Sequence, residues 1–394
     1  MHVLYSLSSF PKLSESFVLN EIDELTRRGH DVSVFSYHNP NDKIHHEEHQ
    51  HLGVPVRYAE QTTISDAPKL VTSELLNSRV LGRSLYYDHP KDHIRTLNFA
   101  RQHIEFVDDL DKPIDHIHSH FARRDKIAAT YAAAHFGVSC TVTAHAYGLF
   151  ADPDPHELGI LFDRTDRVIV PSRYNRSYLR KQFGVTRPID VVPATARVSK
   201  FEPTDREVPN RLLTVARLVE KKGIIYAIEA VARLAETNPD TEYHIVGTGE
   251  REEMLRQRAD ELGVADRVTF LGNVSDERLR QEYDEAAAFI LPCVIATDGD
   301  RDGSPVAIKE AMAMETPCIS TTVTGIPEMI DDETNGLLVE PRDADALAEA
   351  IATMLADANA RMEMGHNARE TIREKFGLEI AVEKLLSSFQ KSIQ

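Results

Sequence analysis

Two carboxylates flank a stretch whose backbone amides could bind an anion. Asp302 and Glu310 lie eight positions apart, and the Gly-Ser-Pro segment 303–305 between them predicts a loop that opens a helix running to about Met314. Ser304 is available to cap this helix. Free N–H groups at a helix start bind phosphates, and carboxylates accept hydrogen bonds from hydroxyls. These residue types at this spacing favour a ligand that carries both phosphate groups and sugar hydroxyls.

A second candidate group consists of two cations that follow a predicted strand. Arg217 and Lys222 lie in the sequence RLVEKKG at 217–223, directly after the apolar run 212–216. At a strand-to-helix junction opposite a helix N-terminus, two cations can hold a diphosphate from both sides. A surface salt-bridge pair is the alternative interpretation of the same two residues.

A histidine and a glycine loop also follow predicted strands. His145 comes directly after the run 140–144, and ligands bind at the carboxyl ends of strands in open α/β sheets. His120 is similarly placed, at the start of a helix predicted to reach about Phe136. An ordinary loop histidine is the alternative for His145. The G-T-G loop at 247–249 is not assigned to a dinucleotide, because Glu252 stands where that fingerprint has a third glycine.

A basic and aromatic helix is predicted after Ser172. Its cations and aromatic residues are Arg173, Tyr174, Arg176, Tyr178, Arg180, Lys181 and Phe183. Such a helix could contact an anionic membrane or a phosphorylated acceptor. A solvated charged face above a packed aromatic edge is the alternative, and the sequence favours it.

Histidines are concentrated between residues 38 and 51. They are His38, His45, His46, His49 and His51. Clustered histidines can bind a metal ion, but none of these spacings matches a recognisable metal site. We therefore predict an exposed loop and no metal.

Parallel strands are needed to position these residues, and the sequence predicts two series of such strands. A strand at 3–7, a helix at 17–28 and a strand at 32–35 open the first series, and the run 212–216 opens the second. We predict an α/β fold of two doubly wound, Rossmann-like domains. The predicted limits are 1–193 for the first domain, 194–210 for a linker, 211–375 for the second domain and 376–394 for a C-terminal helix.

Composition limits the classes of function. The 394 residues include 45 basic and 63 acidic side chains, and the net charge of -18 argues against a nucleic-acid partner. Three scattered cysteines (Cys140, Cys293 and Cys318) predict no disulfide framework and a reducing compartment. The first residues do not form a signal peptide, and no apolar run approaches the roughly 18 residues of a membrane span. We expect a cytoplasmic protein.

The stretch 302–328 resembles the acidic-x7-acidic motif of the family-4 retaining glycosyltransferases, which reads roughly E-G-x-P-x-x-x-x-E-A-M-A-x-G-x-P. The sequence RLVEKKG matches the family's R-L-x-x-x-K-G, and Gly-Ile-Pro-Glu at 325–328 continues the register. Asp302 replaces the first Glu, and Glu315 stands where a Gly is usual. The loop 8–16 lacks the paired glycines that usually contact the donor. The resemblance implies the GT-B architecture, with the two domains facing a central cleft and the C-terminal helix crossing back to the first domain.

The same resemblance implies a role for each candidate residue. Arg217 and Lys222 would neutralise the leaving diphosphate, and Glu310 would accept hydrogen bonds from the ribose. Asp302 would orient hydroxyls of the donor sugar, and His145 would line the transfer site. The other residues implied to bind the donor are Gly247, Gly249, Asn273, Val274, Gly303, Ser304, Pro305 and Val306. No cofactor and no metal is implied, because the nucleotide-sugar is a substrate and the cations take the place of a divalent ion.

The activity implied is retaining transfer of a sugar from a UDP- or GDP-sugar to an acceptor hydroxyl. The acceptor would be a glycan, a glycolipid or a lipid-linked intermediate, with peripheral contact at the inner membrane face. A nucleotide-sugar epimerase or phosphorylase could use the same two-domain cleft. A non-catalytic sugar-nucleotide binding protein is the remaining alternative, supported by Asp302 and the missing glycines.

Overall fold

The computed structural model describes residues 1–12, 15–40, 52–60, 90–151, 153–204 and 206–394. The chain forms two compact units. Unit 1 comprises Met1–Pro171, Arg176–Val192 and Val382–Gln394, and unit 2 comprises Ser172–Asn175 and Pro193–Ala381. Each unit contains one parallel sheet with helices between its strands, so the predicted class of two Rossmann-like α/β domains is confirmed. The histidines of the 41–51 segment lie outside the described residues.

Unit 1 is built on a seven-stranded sheet in the order β3-β2-β1-β4-β5-β6-β7. Its strands are β1 (His2–Ser9), β2 (Asp31–His38), β3 (Val56–Tyr58), β4 (His116–His120), β5 (Ser139–Thr143), β6 (Arg167–Val170) and β7 (Ile189–Val191). Its helices are α1 (Ser16–Arg27), α2 (Pro90–Asp108), α3 (Ile127–Phe136), α4 (Pro155–Arg164) and α5 (Arg173–Phe183), which starts in the 172–175 segment of unit 2.

Unit 2 is built on a six-stranded sheet in the order β10-β9-β8-β11-β12-β13. Its strands are β8 (Val208–Val215), β9 (Glu242–Val246), β10 (Val268–Gly272), β11 (Ala286–Leu291), β12 (Cys318–Thr321) and β13 (Gly336–Val339). Its helices are α6 (Ile224–Leu234), α7 (Glu252–Glu261), α8 (Asp276–Glu285), α9 (Val306–Ala313), α10 (Ala344–Ala356) and α11 (Ala358–Thr371).

The central strand β11 shows why the sheet of unit 2 is covered on both faces. All of its residues are buried, and alternate side chains enter different apolar clusters. Phe289 and Leu291 pack in one cluster, whereas Ala288 and Ile290 pack in the other. A continuous apolar run is therefore the correct signal for this strand, because both faces of a parallel sheet are dry.

The C-terminal segment is helical from α10 onward. A π-helical turn (Ile372–Phe376) connects α11 to α12 (Leu378–Ile393), and residues 382–394 of this last helix belong to unit 1. There Phe389 packs against His116 and His118 of β4, with ring centroids 4.4 and 5.0 Å apart. Within the described ranges, every helix is too short or too polar to span a bilayer.

Strand β4 carries polar residues through the core, and it departs from the prediction at its end. It runs to His120, which is therefore the last residue of a strand and does not begin a helix. A short 3-10 turn (Arg124–Lys126) and then α3 follow instead. His116 is satisfied by hydroxyls of β5, since Ser139 lies 2.6 Å from its Nδ1 and Thr141 lies 2.7 Å from its Nε2. Hydroxyl partners on the neighbouring strand explain how so polar a sequence forms a buried strand.

His103 of α2 is a second fully buried histidine in unit 1. Its ring stacks on Phe35 with centroids 3.8 Å apart, and its Nδ1 lies 2.7 Å from the carbonyl oxygen of Phe99. Burial lowers the pKa of His103 and that of His116 to about 3. Both rings are therefore neutral in the folded chain at pH 7.

These histidines make the stability of unit 1 sensitive to acid. Below the unfolded pKa of about 6.5 the unfolded chain binds protons that the folded chain excludes, so stability falls as the pH drops from there towards about 3. Each such histidine contributes a slope of up to about 1.4 kcal/mol per pH unit. We expect His103→Gln to reduce the pH dependence of the unfolding free energy by about that slope.

The measurement is urea unfolding at about pH 6.5 and about pH 4.5, which spans the relevant window. His156→Gln, at an exposed position of α4, is the matched control for loss of a histidine. Equal pH dependence in the wild-type chain and in His103→Gln would show that His103 is not kept neutral by burial.

Candidate functional site

In unit 2 the loops that follow β8, β9 and β10 are joined by backbone hydrogen bonds. The amide of Leu218 donates to the carbonyl of Thr248 at 3.0 Å, and the amide of Gly247 donates to that of Gly272 at 2.8 Å. The predicted segments 217–223 and 247–249 and the start of the 272–274 loop therefore lie side by side at the carboxyl edge of the sheet. In that last loop Asn273 is exposed and Val274 is half-buried.

Two glycines in these loops are required by close backbone contacts. Gly247 has a φ of +122°, and a Cβ there would lie 2.0 Å from the carbonyl oxygen of Ala216. Gly223 has a φ of +65°, and its Cβ would lie 1.9 Å from the carbonyl oxygen of Pro292. Side chains at these positions would push the loops apart. The packing of the loops alone is sufficient to require both glycines.

The charged centre of the site is an ion pair between two predicted residues. Lys222 Nζ lies 2.7 Å from Asp302 Oδ2, and Lys221 Nζ lies 3.7 Å from Asp302 Oδ1. Burial alone would raise the pKa of the Asp302 carboxyl, but the charges of Lys222 and Lys221 outweigh it and lower that pKa to about 2. Asp302 is therefore an anion at neutral pH, held against the lysine that was predicted to bind phosphate.

Two further residues complete this group. Cys293 directs its thiol towards Asp302, with Sγ 3.6 Å from Oδ2, and burial raises the pKa of that thiol. Arg217 has an exposed side chain, and its charge also lowers the pKa of Asp302. The structure thus brings Arg217, Lys222 and Asp302 into one electrostatic group at the ends of β8 and β11.

The helix that carries Glu310 begins later than the sequence predicted. Helix α9 starts at Val306, with Pro305 in the preceding position and no side-chain cap. Ser304 does not cap it, because its hydroxyl and carbonyl oxygens accept hydrogen bonds from Lys309 Nζ at 2.7 and 3.3 Å. Gly303 lies on the other side of the loop, where an added Cβ would be 3.1 Å from the amide group of Asn175.

Lys309 was missed from the sequence, where it reads as an ordinary helix residue. Its side chain is completely buried, and this burial lowers its pKa to about 7, with the neighbouring Glu310 opposing the shift. The two hydrogen bonds from Lys309 fix the loop that precedes α9. Such a loop can keep its backbone amides in place for an anion.

Glu310 is supported by a tyrosine from another helix. The hydroxyl of Tyr283 in α8 donates to Glu310 Oε2 at 3.0 Å. Burial, with the adjacent charge of Glu310, raises the pKa of Tyr283 well above its usual range, so the phenol stays a donor. Tyr283 precedes Glu310 by 27 positions, and nothing in the local sequence pattern links the two.

His145 lies in unit 1, two residues after the end of β5. It is 8% exposed, and its Nε2 lies 2.9 Å from Nδ1 of His120. The other nitrogen of His120, Nε2, lies 3.1 Å from Glu21 Oε1. The sequence indicated both histidines, but not Glu21, which comes from α1.

The basic helix α5 exposes its cations, while its aromatic residues are half-buried. Arg176 and Lys181 are exposed, while the ring of Tyr178 packs against Phe150 with centroids 4.7 Å apart. The start of α5 is capped by Glu328, whose carboxylate accepts the amides of Arg173 at 2.9 Å and Tyr174 at 2.8 Å.

Comparison with known proteins links both units to sugar transfer. Residues 14–195 match the family described as Glycosyltransferase Family 4, and residues 197–371 match Glycosyl transferases group 1. The chain is similar to the putative colanic acid biosynthesis glycosyltransferase WcaL of Escherichia coli (strain K12), with 28% identity over 99% of this chain and 100% of the relative.

Two more comparisons concern donors. A GDP-mannose-dependent alpha-(1-6)-phosphatidylinositol monomannoside mannosyltransferase of Mycobacterium tuberculosis is 30% identical over 57% of this chain and 61% of its own length. The crystal structure of Anabaena Alr3699/HepE in complex with UDP-glucose superimposes with a TM-score of 0.73 at 16% identity, covering 99% of this chain and 100% of that one. At that identity the structural likeness concerns the fold alone.

The close approach at Gly247 gives a stability prediction. We expect Gly247→Ala to destabilise unit 2 by roughly 3–5 kcal/mol, because it forces a clash with the Ala216 carbonyl as well as an unfavourable φ. Gly263→Ala is the matched control, since Gly263 has a φ of +70° but no heavy atom within 4 Å of an added Cβ. That variant costs about 1–2 kcal/mol.

Urea unfolding of the full chain, followed by circular dichroism, measures both variants. Equal losses of unfolding free energy in Gly247→Ala and Gly263→Ala would mean that the loops after β8 and β9 can separate at little cost. That result would contradict the requirement for glycine beside the Ala216 carbonyl.

Proposed function

We propose that this chain, a glycosyltransferase of GT-B architecture whose residues 14–195 match Glycosyltransferase Family 4 and whose residues 197–371 match Glycosyl transferases group 1, is a retaining enzyme that uses a nucleotide-diphosphate sugar. The acceptor in this proposal is a hydroxyl of a glycan, a glycolipid or a lipid-linked intermediate. Transferases dominate the named relatives, which does not favour an epimerase or a non-catalytic binding protein.

The clustering of Lys222, Asp302 and the start of α9 at one sheet edge gives the strongest support for this proposal. Lys222 is a partly buried cation that pairs with Asp302. The charges of Arg217 and Lys221 also act on Asp302, although Lys221 lies closer to Asp300, at 2.9 Å. A diphosphate is the ligand that such an edge suits, because the cations and the α9 amides can share its charge. We assign Glu310, supported by Tyr283, to the ribose hydroxyls.

The donor class follows from the relatives and not from the geometry. One relative is named for GDP-mannose and one structural neighbour holds UDP-glucose, so we propose a UDP- or GDP-sugar. The segments 247–249 and 272–274 would lie around the base. The names colanic acid biosynthesis and phosphatidylinositol mannoside support a glycan or lipid-linked acceptor.

The proposed transfer occurs on one face of the sugar. The bond between the anomeric carbon and the leaving phosphate breaks, the acceptor oxygen bonds to that carbon, and the acceptor's proton passes to a phosphate oxygen. Arg217 and Lys222 stabilise the charge that develops on the diphosphate. These cations and the helix start supply what a divalent ion would otherwise provide, so we propose that the enzyme needs no metal. Asp302 orients hydroxyls of the donor sugar, and His145 lines the transfer site.

Product stereochemistry tests this mechanism. UDP-, GDP- and ADP-sugars are offered with and without acceptor, with EDTA present, and the product is examined by NMR. From an α-linked donor we expect an α-linked product and full activity in EDTA. A β-linked product, read from the anomeric coupling constant, would contradict retention. Turnover that requires an added divalent ion would contradict the metal-free proposal.

Loss of Lys222 tests the phosphate assignment. We expect Lys222→Ala to lower kcat by roughly a hundredfold or more, because a preorganised charge-stabilising group is lost at the leaving group. Lys222→Arg is the matched control, since it keeps the positive charge and should retain more activity. If Lys222→Ala raises only KM and leaves kcat unchanged, Lys222 binds the ground state without stabilising the transition state.

We also propose that α5 contacts an anionic lipid surface, which would place the enzyme peripherally at the inner membrane face. The exposed cations of α5 support this. We expect Arg176→Glu/Lys181→Glu to reduce cosedimentation with vesicles of phosphatidylglycerol and phosphatidylcholine at low salt. Lys384→Glu/Lys391→Glu makes the same charge change at exposed positions of α12 and is the control. No binding by the wild-type chain would contradict the proposal.

A further inference from the structure

A chain of hydrogen bonds in unit 1 leads from the core to His145. The hydroxyl of Tyr5 donates to Glu21 Oε1 at 2.6 Å, and His120 Nε2 lies 3.1 Å from the same oxygen. His120 Nδ1 then lies 2.9 Å from His145 Nε2. Glu21 and His120 are 99 positions apart in the sequence, so the fold builds this chain of hydrogen bonds from β1, α1, β4 and the segment that follows β5.

Packing holds the two imidazoles in a single arrangement. Their rings are stacked, with centroids 5.2 Å apart and planes 15° from parallel. Phe17 and Phe121 flank His145 with ring centroids at 4.9 and 4.7 Å. His120 is only 1% exposed. Neither ring can rotate without losing both a hydrogen bond and an aromatic contact.

With Glu21 as a carboxylate and both imidazoles neutral, the hydrogen bonds among these residues define one tautomer for each histidine. A carboxylate only accepts, so Glu21 requires a proton on Nε2 of His120. In a neutral ring Nδ1 of His120 then accepts, and the proton between the two rings belongs to Nε2 of His145. His145 is left with Nδ1 as its acceptor nitrogen. Burial and the Glu21 charge raise the pKa of Tyr5 well above its usual range, so Tyr5 stays a donor.

A metal ion is a less suitable occupant of this cluster. Ligand atoms of Glu21, His118 and His120 lie within 4.8 Å of one another, a spacing that could hold a cation. However, the Nδ1 of His118 lies 2.8 Å from the Thr141 hydroxyl, and its Nε2 lies 3.1 Å from that of Thr143. Both nitrogens of His120 are engaged as well. A metal would have to break these hydrogen bonds to gain its ligands.

We propose that Glu21 is a positioning residue that acts through His120 and presents His145 with Nδ1 as a hydrogen-bond acceptor for a hydroxyl of the transferred sugar. This inference rests on the proposed role of His145 at the transfer site. An acceptor nitrogen matches a hydroxyl donor, whereas the opposite tautomer would direct an N–H at the sugar. Glu21 and His120 touch no substrate in this scheme.

Variants that keep or remove the acceptor atoms test this series of hydrogen bonds. Glu21→Leu removes the acceptor for His120, and His120→Phe keeps the stacked ring but removes its nitrogens. Glu21→Gln and His120→Asn are the matched controls, because a side-chain amide oxygen can occupy the place of Glu21 Oε1 or of His120 Nδ1. Two disruptive variants at different positions guard against one that fails to fold.

The direct measurement is long-range ¹H–¹⁵N NMR of the histidine-labelled full chain, without substrate. The His145 signal is identified by its absence in His145→Gln. We expect His145 to be protonated on Nε2 in the wild-type chain and in both control variants, and to show mixed tautomers in Glu21→Leu and His120→Phe. Protonation on Nδ1 in the wild-type chain, or an unchanged tautomer in both disruptive variants, would overturn the inference.

Kinetics then connect the tautomer to the reaction. With UDP-glucose or GDP-mannose, whichever is turned over, we expect Glu21→Leu and His120→Phe to lower kcat about ten- to a hundredfold. Both control variants should retain kcat within about threefold, and KM should change little. Combining Glu21→Leu with His145→Ala should lower kcat no further than His145→Ala alone, since both act on one group.

Different results would contradict the role of Glu21 and the proposed transferase function. Wild-type kcat in His145→Ala would remove His145 from the transfer site and overturn the inference that rests on it. Additive losses in the double variant would show that Glu21 acts by another route. Absence of transfer from any nucleotide-sugar would contradict the proposed function, while the NMR result would still decide whether Glu21 sets the tautomer of His145.

Discussion

The ion pair between Lys222 and Asp302 is the interaction on which the arrangement of the loops after β8 and β11 in unit 2 depends. The side chains of Lys222 and Asp302 are only 13% and 14% exposed, and two partly buried charges are stabilised by a partner at short range. The pair therefore requires the ends of β8 and β11 to meet closely, and Gly223 permits this by lying against the carbonyl of Pro292. The amide of Val294 donates to the carbonyl of Lys221 at 2.8 Å and joins the same two loops. Parallel sheet order, with β8 beside β11, makes that meeting possible.

Unit 1 meets a related constraint with polar groups in place of charges. Strand β4 carries three histidines into a buried sheet, and each must find hydrogen-bond partners there. His116 and His118 are satisfied by hydroxyls of β5, which fixes them as neutral structural residues. His120 is the exception because its partners are Glu21 and His145. All three histidines lie on one face of β4, and their partners distinguish the two that bond to the neighbouring strand from the one that connects to a candidate site.

The sequence predicts those parts of the protein whose signals are local. Buried apolar runs predicted strands such as β11, and the motif at 302–310 placed a loop and a helix where the structure has them. The predicted cap of α9 was wrong, because the oxygens of Ser304 accept hydrogen bonds from Lys309 instead of capping the helix. That arrangement depends on a lysine buried by tertiary packing. Tyr283 and Glu21 could not be found, since each reaches its partner across many residues of chain and neither belongs to a recognisable spacing.

The two departures from the family motif within residues 302–328, Asp302 and Glu315, have different physical meanings. Glu315, where a glycine is usual, adopts a φ of +60°, so the backbone keeps the left-handed conformation that favours glycine. Its carboxylate pairs with His366 and lies 3.7 Å from Arg369, and the lack of a side chain at Gly365 lets α11 approach its carbonyl. These contacts compensate for the strain and lie outside the charged group at the sheet edge. Asp302 differs because its shorter side chain still reaches Lys222 within that group. The substitution of Asp for Glu therefore shortens the distance from the backbone at which the carboxylate is held. The pairing with Lys222 keeps the negative charge beside the cations for which a phosphate-binding role is proposed.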